Sequence, residues 1–520
     1  MKEKIDLLLI HVPRFSGYYR PYGEYMSVNL LPMGSWLLAD LAVRTGFKTR
    51  IIHLGLEWIE TRKFSALPYI QDKDIVLAVI PLHWHQQSYD VMEAAGEIKK
   101  ARPEIFIALG GYTASYFHKE IMAGYTQIDA VIRGDAEVPL PALLNAMKGG
   151  KGLETVPNLT WRQDGKVREN PLSYVASEKD IDNASYTNLG LLKDHRTYMH
   201  YMGMPFVWSK GFTKEQNRKY FHLGHDMFFV NVGRGCLGNC TWCGGGAKAQ
   251  QKVNGRRGVI FRSPDKVADT VSEAAETGYD MIHLSFDPGK EAEKYYLDLF
   301  GLIRRRKINV LCYFESFSLP SEPFLNAFSE TFKPAGSVIA ISPESGDEQI
   351  RRLNRSFFFT NNELMENISL AQGLGIRVDL FFSIGIPGES CSDLSRTASF
   401  RKQIKKKFKN IGRIWTSPIT MEPASPWFEE PASFGVVSMR RSFSDYYRAG
   451  SPDGKGLGYY IPDFNGNGPP MDAERFEKLL FETKCRDHCS FHANPNKASS
   501  PLEGRIYCHY LNWMTGRRNE

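Results

Sequence analysis

The chain has 520 residues, of which 42% are hydrophobic and 24% are charged, and its net charge is +7. This composition is ordinary for a packed protein of about three domains, and it excludes a disordered chain, a collagen-like chain and a small disulfide scaffold. No apolar run reaches the roughly 18 residues of a membrane span, and the first residues lack a signal-peptide core. We therefore expect a cytoplasmic protein that does not bind membranes.

Residues 1–150 alternate between predicted strands and helices. Apolar runs predict strands over 5–12, 47–54, 74–82, 105–109 and 129–132, and helical periodicity predicts helices over 32–46, 88–101 and 139–147. Such a series favours a Rossmann-like, doubly wound parallel sheet, whose ligands bind beyond the carboxyl ends of the strands. The GxGxxG pattern is absent after the first strand, which disfavours a nicotinamide cofactor.

The remaining chain is predicted to form a connector, a barrel and a C-terminal cap. Residues 151–225 read as a connector with one hairpin around Asp164-Gly165. Six predicted strands, over 227–232, 281–286, 308–314, 337–342, 377–384 and 413–420, alternate with helices such as 265–277 and 361–373. This α/β pattern indicates a partial (β/α)6 barrel over 226–430. Residues 431–520, rich in aromatic residues, Gly and Pro, would form a small C-terminal cap.

Three of the eight cysteines lie on one short segment, 232–246, which reads VGRGCLGNCTWCGGG. Cys236, Cys240 and Cys243 have the spacing C-x3-C-x2-C. Three thiolates on one loop hold three irons of a cubane cluster and leave the fourth iron open to a small molecule. The alternatives are three unpaired thiols or a zinc site, but structural zinc needs four closed ligands.

This segment, placed directly after a predicted strand, resembles the signature of the radical S-adenosylmethionine (SAM) superfamily. The resemblance implies that Cys236, Cys240 and Cys243 bind a 4Fe-4S cluster and that SAM binds the open iron. It also implies that Trp242 packs beside the SAM site. The reduced cluster would cleave SAM to a 5′-deoxyadenosyl radical, which takes a hydrogen atom from the substrate.

Other residues fit the same resemblance. Glu344, in the segment PESG at the end of the fourth predicted barrel strand, would bind the SAM ribose or amino end. Gly385 and Gly388, in SIGIPGES, would lie near the adenine. Asp287 follows the second barrel strand, where many members of the superfamily carry the sequence GGE, which binds the amino group of SAM. In this chain Asp287 is the nearest residue that could replace that motif. The alternative is a helix N-terminal acid for Glu344 and a plain strand-to-helix turn for the two glycines.

The first domain resembles the cobalamin-binding subclass of the superfamily through LGGYTAS at 109–115 and RGDAE at 133–137. The DxHxxG signature of many cobalamin proteins is absent after the first strand. The resemblance implies a cobalamin site at the carboxyl edge of the sheet, with His83 and Trp84 facing the lower side of the corrin. A surface loop with partly buried aromatic residues is the alternative for that pair. The remaining residues of the expected site are Pro13, Pro81, Gly110, Gly111, Ser115 and Gly134.

The resemblance implies a methyltransferase that acts on a non-nucleophilic carbon of a small molecule, through a 5′-deoxyadenosyl radical and methylcobalamin. It implies an electron donor such as flavodoxin or ferredoxin, and it names no catalytic residue of the chain. One alternative is oxidation or cyclisation with the same cofactors; another is an iron–sulfur protein that modifies or binds nucleic acid.

The densest basic run, 401–409, has Phe408 as its one aromatic residue, so nucleic acid is not expected. Whether Cys485, Cys489 and Cys508 bind a second metal stays open.

Overall fold

The computed structural model describes residues 2–16, 24–25, 29–201, 206–207, 225–287, 292–452 and 459–460. The chain forms two compact units. The first contains the described residues up to His225, together with Gln250–Arg262 and the described part of Arg441–Gly454. The second contains Asp226–Ala249, Ser263–Arg440 and residues 459–460. Two short excursions therefore return the chain to the first unit.

A seven-stranded sheet forms the centre of the first unit. Its strands are β1 (Glu3–His11), β2 (Thr49–His53), β3 (Lys73–Pro81), β4 (Phe106–Gly110), β5 (Ala130–Ile132), β6 (Leu159–Gln163) and β7 (Lys166–Glu169). Their order is β2-β1-β3-β4-β5-β6-β7, and the first five run parallel. The chain moves to one side of β1 to form β2 and to the other side to form β3. Because such crossovers are right-handed, helices cover both faces, and the carboxyl ends of β1 and β3 form the switch point.

Among the described residues up to His225, nine α-helices lie between or after the strands of this unit, and three of them, α1, α4 and α7, are those that the periodicity predicts. In chain order the nine are α1 (Met33–Arg44), α2 (Leu54–Thr61), α3 (Leu67–Ile70), α4 (Ser88–Ala101), α5 (Tyr112–Tyr116), α6 (His118–Gly124), α7 (Pro139–Met147), α8 (Glu178–Asp182) and α9 (His195–Tyr201). Helix α4 buries Val91, Ala95 and Ile98 on one face, as the 3.6-residue spacing requires.

The predicted hairpin is present, and it extends the sheet. Asp164 and Gly165 both have positive φ, at 50° and 75°, which matches the two-residue turn that joins antiparallel strands. Strand β6 pairs antiparallel with β5, with Ala130 opposite Trp161. The segment predicted as a connector thus contributes two strands to the first sheet.

The second unit contains six parallel strands in chain order. They are β8 (Met227–Phe229), β9 (Met281–Leu284), β10 (Leu311–Ser316), β11 (Val338–Glu344), β12 (Arg377–Ile384) and β13 (Ile411–Pro418). The helices of this part of the chain are α10 (Ala247–Asn254), α11 (Pro264–Thr277), α12 (Ala292–Arg305), α13 (Glu322–Thr331), α14 (Glu348–Asn354), α15 (Asn361–Gly373), α16 (Cys391–Lys407) and α17 (Pro426–Glu429). Strands that follow one another in both sequence and space, with a helix between most pairs, make the partial barrel that the sequence predicts.

Local sequence explains where the barrel helices begin and end. Helix α11 has Pro264 in its first turn and ends at Gly278, which adopts φ 109°. Helix α15 begins with a capping box in which Thr360 and Glu363 each bond the other's backbone N–H.

One further helix, α18 (Phe443–Gly450), belongs to the first unit. Phe443 is fully buried, and its ring lies 5.8 Å from Phe117 and 5.2 Å from Tyr125. The predicted C-terminal cap over 431–520 therefore includes a segment that packs with the first sheet. Residues 453–458 and 461–520, with the three C-terminal cysteines, lie outside the described residues. In the described part of the chain, no helix is both long and apolar enough to cross a membrane.

Candidate cluster and cofactor sites

The three-cysteine loop follows β8, and backbone N–H groups of the loop and of a distant segment donate to its sulfurs. Each sulfur accepts one backbone N–H: Cys236 from Gly238 at 3.3 Å, and Cys243 from Gly245 at 3.3 Å. Cys240 accepts from Ser356 at 3.4 Å. All three side chains are half-buried. Backbone donors aimed at thiolate sulfurs stabilise the negative charge of a cluster and tune its reduction potential.

Contacts with distant elements fix the shape of this loop. Thr241 donates through its hydroxyl to Asn354 at 2.7 Å and through its backbone N–H to the Asn354 carbonyl at 3.0 Å. Gly244 donates to Glu422 at 2.7 Å, and a Cβ on Gly244 would lie 2.5 Å from the Pro423 carbonyl oxygen. The glycine after the third cysteine is therefore required by a close backbone approach.

The donor set fits a cluster better than a single ion. Among the described residues, no group of three or more His, Cys, Asp or Glu side chains is placed to hold one metal ion. Three cysteines can each bind a different iron of one cluster, whereas a structural zinc site needs four ligands around one point. Burial raises the pKa of the Cys236 and Cys243 thiols, so iron binding there must displace protons.

Arg355 is a buried cation beside the loop that sequence reasoning missed. It follows α14 and donates to the carbonyl oxygens of Ser342, Phe317 and Phe357. It also donates to Glu344 at 3.3 Å. Its positive charge interacts with Cys240. Arg355 thus joins the ends of β10 and β11 to the cysteine loop.

A cavity of about 360 Å³ opens at the carboxyl ends of the barrel strands. Its lining combines aromatic rings, carboxylates and hydroxyls, among them Trp242, Glu315, Phe317, Glu344, Ser383 and Glu422. The predicted SAM residues Trp242 and Glu344 therefore line one cavity. Glu315 and Glu422 were not predicted; the only sequence signal for Glu315 is a charged residue inside an otherwise apolar strand.

Glu344 and Asp287 differ in their surroundings. Glu344 has φ 63° and accepts hydrogen bonds from Arg355 and the Ser383 hydroxyl, while burial raises its pKa. Asp287 is buried, and its Oδ2 accepts from the backbone of Phe317 at 2.6 Å and of Ser318 at 3.0 Å. Asp287 therefore stabilises the backbone that follows β10 through hydrogen bonds. Its predicted role at the SAM amino group stays a prediction.

The two predicted glycines of the SIGIPGES segment lie in the turn between β12 and α16. Gly385 and Gly388 have φ 89° and 82°. Gly385 donates its N–H to Glu389 at 2.8 Å, and burial raises the pKa of Glu389 to about 8. Neither glycine is among the residues that line the cavity. Their contact with adenine stays a prediction.

In the first unit, most of the predicted cobalamin residues meet at the carboxyl edge of the sheet. Gly134 donates its N–H to the Ser115 hydroxyl at 2.9 Å, and that hydroxyl donates to the Gly111 carbonyl at 2.8 Å. Leu82 donates to the Gly110 carbonyl at 2.8 Å. This network joins the loops that follow β3, β4 and β5.

The two adjacent glycines of this edge have different surroundings. A Cβ on Gly111, which has φ 96°, would lie 2.9 Å from the backbone of Leu82 and His83. A Cβ on Gly110 would meet no atom of the described residues within 4 Å. Gly111 is therefore needed for packing, whereas Gly110 leaves open space that a side chain would fill. Such an open cradle at the switch edge fits a large planar cofactor.

His83 and Trp84 follow β3 at the same edge. Their rings meet edge to face, with centroids 4.7 Å apart. The His83 side chain is exposed at this edge. Pro13 and Pro81 are buried at the ends of β1 and β3, and Gln87 ties these ends together by donating to the Val12 carbonyl at 2.7 Å.

Comparison with known families identifies the second unit. The family model of the radical SAM superfamily matches residues 230–401. These residues are similar to a radical SAM domain. The match begins just before the cysteine loop and ends within α16, and it confirms the resemblance on which the cluster prediction depends.

Relatives and solved structures resemble the chain over a longer span. An uncharacterised methyltransferase of Pyrococcus horikoshii is 22% identical over 326 residues, which are 61% of this chain and 62% of the relative. The chain thus spans less than two thirds of that relative's length. The structure of the radical SAM methyltransferase TsrM from Kitasatospora setae, solved with cobalamin and a [4Fe-4S] cluster, is similar with a TM-score of 0.63 and 14% identity. That likeness covers 99% of this chain and 97% of TsrM.

A second solved structure has the same architecture. OxsB, a cobalamin-dependent SAM radical enzyme solved with aqua-cobalamin and SAM, matches with a TM-score of 0.61 and 12% identity over 99% of this chain and 72% of OxsB. At these identities the likeness establishes the fold. The predicted fold class, a doubly wound domain followed by a radical SAM partial barrel, is confirmed.

Proposed function

We propose that this protein is a cobalamin-dependent radical SAM methyltransferase that acts on a small molecule. The observation that carries the proposal is the presence, in one chain, of a three-cysteine loop on a radical SAM barrel and an open glycine cradle on a doubly wound sheet. The names of the Pyrococcus horikoshii relative and of TsrM support methyl transfer. The cofactors of TsrM and OxsB support the same pair here.

The residues of the barrel would bind and orient the SAM cofactor. Cys236, Cys240 and Cys243 would hold the cluster, with Trp242 and Glu344 in the adjoining cavity. When bound, the cluster, SAM and cobalamin supply the methyl group and the one-electron chemistry, and the protein supplies position and exclusion of water. The buried residues around the cysteine loop would exclude water from the cluster.

The edge of the first sheet would hold cobalamin through backbone and shape. Gly110 leaves room for the cofactor, and Gly111, Ser115 and Gly134 keep the loops in register. The imidazole of His83 and the ring of Trp84 would face the lower side of the corrin, and Pro13 and Pro81 would lie at the ends of the central strands.

Two finer features belong to the same proposal. The acceptor is a carbon that is not nucleophilic, because hydrogen abstraction by a 5′-deoxyadenosyl radical activates such carbons. Each reduction of the cluster needs one electron, for which flavodoxin or ferredoxin is the proposed donor.

Anaerobic reconstitution with iron, sulfide and cobalamin tests the function. With SAM labelled in its methyl group, a low-potential reductant and a panel of small-molecule acceptors, the proposal expects S-adenosylhomocysteine, 5′-deoxyadenosine and a labelled product. Both 5′-deoxyadenosine and the labelled product should disappear in the Cys240→Ala variant. Formation of 5′-deoxyadenosine and a product without the label would instead indicate oxidation or cyclisation, and uncleaved SAM in a fully loaded protein would contradict the proposal.

A further inference from the structure

The barrel cavity carries a carboxylate, Glu315, that differs from the other acids around it. We propose that Glu315 binds a cationic nitrogen of the substrate, so that the substrate is an amine-bearing small molecule with an aromatic or apolar body. This inference rests on the proposed function, because it assigns the substrate class of the same barrel.

Strand register separates Glu315 from the part of the cavity next to the cysteine loop. Glu315 pairs with Ala340, and Ala340 pairs with Asp379 of β12. Glu344 pairs with Phe382, three residues further along β12. At about 3.3 Å per residue, this is a separation of roughly 10 Å along that strand. Glu344 and its partner Arg355 adjoin the cysteine loop, so Glu315 lies farther from that loop.

The neighbouring carboxylates are already neutralised or bonded. Glu344 pairs with Arg355, and Glu422 accepts the N–H of Gly244. Asp379 accepts from Arg413 through both the guanidinium, at 2.7 Å, and the backbone, at 2.8 Å. These acids therefore contribute little uncompensated negative charge to the cavity.

Glu315 has a weaker partner. Its nearest ionisable contact is His283, with Nε2 at 3.4 Å from Oε1. Over the described ranges, no lysine or arginine side chain forms an ion pair with it. Burial alone would raise the pKa of Glu315, but His283 and Arg413 outweigh it and leave this pKa below the usual value. A side chain that lines the cavity thus stays ionised at neutral pH.

His283 is the buried partner of Glu315. The residue is only 8% exposed, and its ring packs against Phe229 at 4.3 Å and Tyr313 at 5.0 Å. Its Nε2 faces Glu315 at 3.4 Å, and its Nδ1 has no hydrogen-bond partner among the described residues. His283 is not among the residues that line the cavity, so Glu315 is the member of the pair that a ligand in the cavity would meet.

The walls of the cavity favour a cation carried on an apolar body. Trp242, Phe317, Phe381 and Phe382 all line it. Aromatic faces attract ammonium groups, and the effect is strongest where water is excluded. An anionic substrate would meet Glu315 unfavourably.

The experiment compares two probes that differ in charge and share one skeleton, 2-phenylethylamine and 2-phenylethanol. Their Kd values are measured by titration calorimetry on the reconstituted holoenzyme with SAM present. The proposal expects the amine to bind at least about tenfold tighter than the alcohol, the effect of one charged hydrogen bond. Glu315→Gln should reduce this ratio to about one, and Glu315→Asp should keep a preference for the amine. The surface variant Glu366→Gln removes the same charge from an exposed helix position and should keep the full ratio.

Measuring the affinity for SAM tests whether Glu315 binds a cation of the substrate or a cation of SAM itself. SAM itself carries a sulfonium and an ammonium group, so its Kd is measured for the same variants and should be unchanged in Glu315→Gln. The inference is overturned if the ratio survives in Glu315→Gln, if the wild type shows no preference, or if Glu315→Gln weakens SAM instead. Because the ratio is a binding measurement, a protein that transfers no methyl group can still show it. Failure of the proposed function is thereby separable from failure of this inference.

Discussion

The pair Gly110 and Gly111 shows how two identical neighbouring residues serve different purposes. Gly111 has a positive φ that disfavours other residues, and a Cβ on it would press on the backbone of Leu82 and His83. We expect Gly111→Ala to destabilise the protein by about 1–3 kcal/mol, measured as a lower unfolding midpoint. A Cβ on Gly110 meets no atom within 4 Å in the part of the chain that the structure describes. We expect Gly110→Val to change the unfolding free energy by less than about 0.5 kcal/mol and to abolish cobalamin retention, measured by absorbance after gel filtration. Retention of cobalamin by a folded Gly110→Val protein would refute the position of the cradle.

Arg355 is predicted to act on the cluster through its charge. Its guanidinium is buried beside Cys240, and a nearby positive charge stabilises the reduced, more negative cluster. Arg355→Gln should therefore lower the reduction potential, on the order of tens of millivolts, in a titration followed by electron paramagnetic resonance. Arg396→Gln, an exposed arginine of α16, is the matched control and should leave the potential unchanged. An unaltered potential in a folded Arg355→Gln protein would show that the residue only supports the loop.

At the residue scale, the sequence could predict the groups that lie close together along the chain. The three cysteines and Trp242 occupy eight consecutive positions, so their spacing alone indicated the chemistry. Glu315 and Arg355 gain their roles from elements that are remote in sequence. Glu315 depends on His283 of the preceding strand, and Arg355 depends on carbonyls of two other strands. No local pattern reports such contacts.

At the scale of elements, α18 is the segment whose position is least expected. Phe443 is buried among Phe117 and Tyr125, and Tyr447 donates its hydroxyl to Glu93 at 2.6 Å. Phe443→Ala should destabilise the first unit by about 3–5 kcal/mol. Tyr447→Phe, which removes one peripheral hydrogen bond, should cost only about 0.5–1.5 kcal/mol. Urea unfolding followed by tryptophan fluorescence and cobalamin release measures both, and equal effects of the two substitutions would contradict this packing.

Periodicity and apolar runs predicted the long elements well. Strands β1 to β5 and helices α1, α4 and α7 lie within a few residues of the predicted bounds, because buried strands are continuously apolar and amphipathic helices repeat every 3.6 residues. Helices α5 and α6 were missed, since each is shorter than two full periods. The hairpin β6–β7 was predicted, but its pairing with β5 was not, because the partner strand is remote and pairing leaves no mark on the local pattern.

At the scale of the molecule, two compact units share one chain, and the chain crosses between them more than once. Residues 250–262 return to the first unit, where Arg256 pairs with buried Asp135. The composition of the sequence predicts consecutive segments with boundaries at residues 150, 225 and 430. Consecutive segments cannot represent a later stretch of chain that packs with an earlier unit. The fold class survives this difference because it depends on the order of strands within each sheet, which the chain keeps.

The central claim is that this one chain holds both a three-cysteine iron–sulfur cluster and cobalamin. An inventory of iron, sulfide, cobalt and zinc per chain, taken with the visible spectrum of anaerobically reconstituted protein, tests it most directly. We expect about four irons, four sulfides and one cobalt in the wild type. The variant with Cys236, Cys240 and Cys243 all replaced by Ala should lose the iron and keep the cobalt, and Gly110→Val should do the reverse. A colourless wild-type protein with tightly bound zinc, or iron retained by the triple-cysteine variant, would contradict the account.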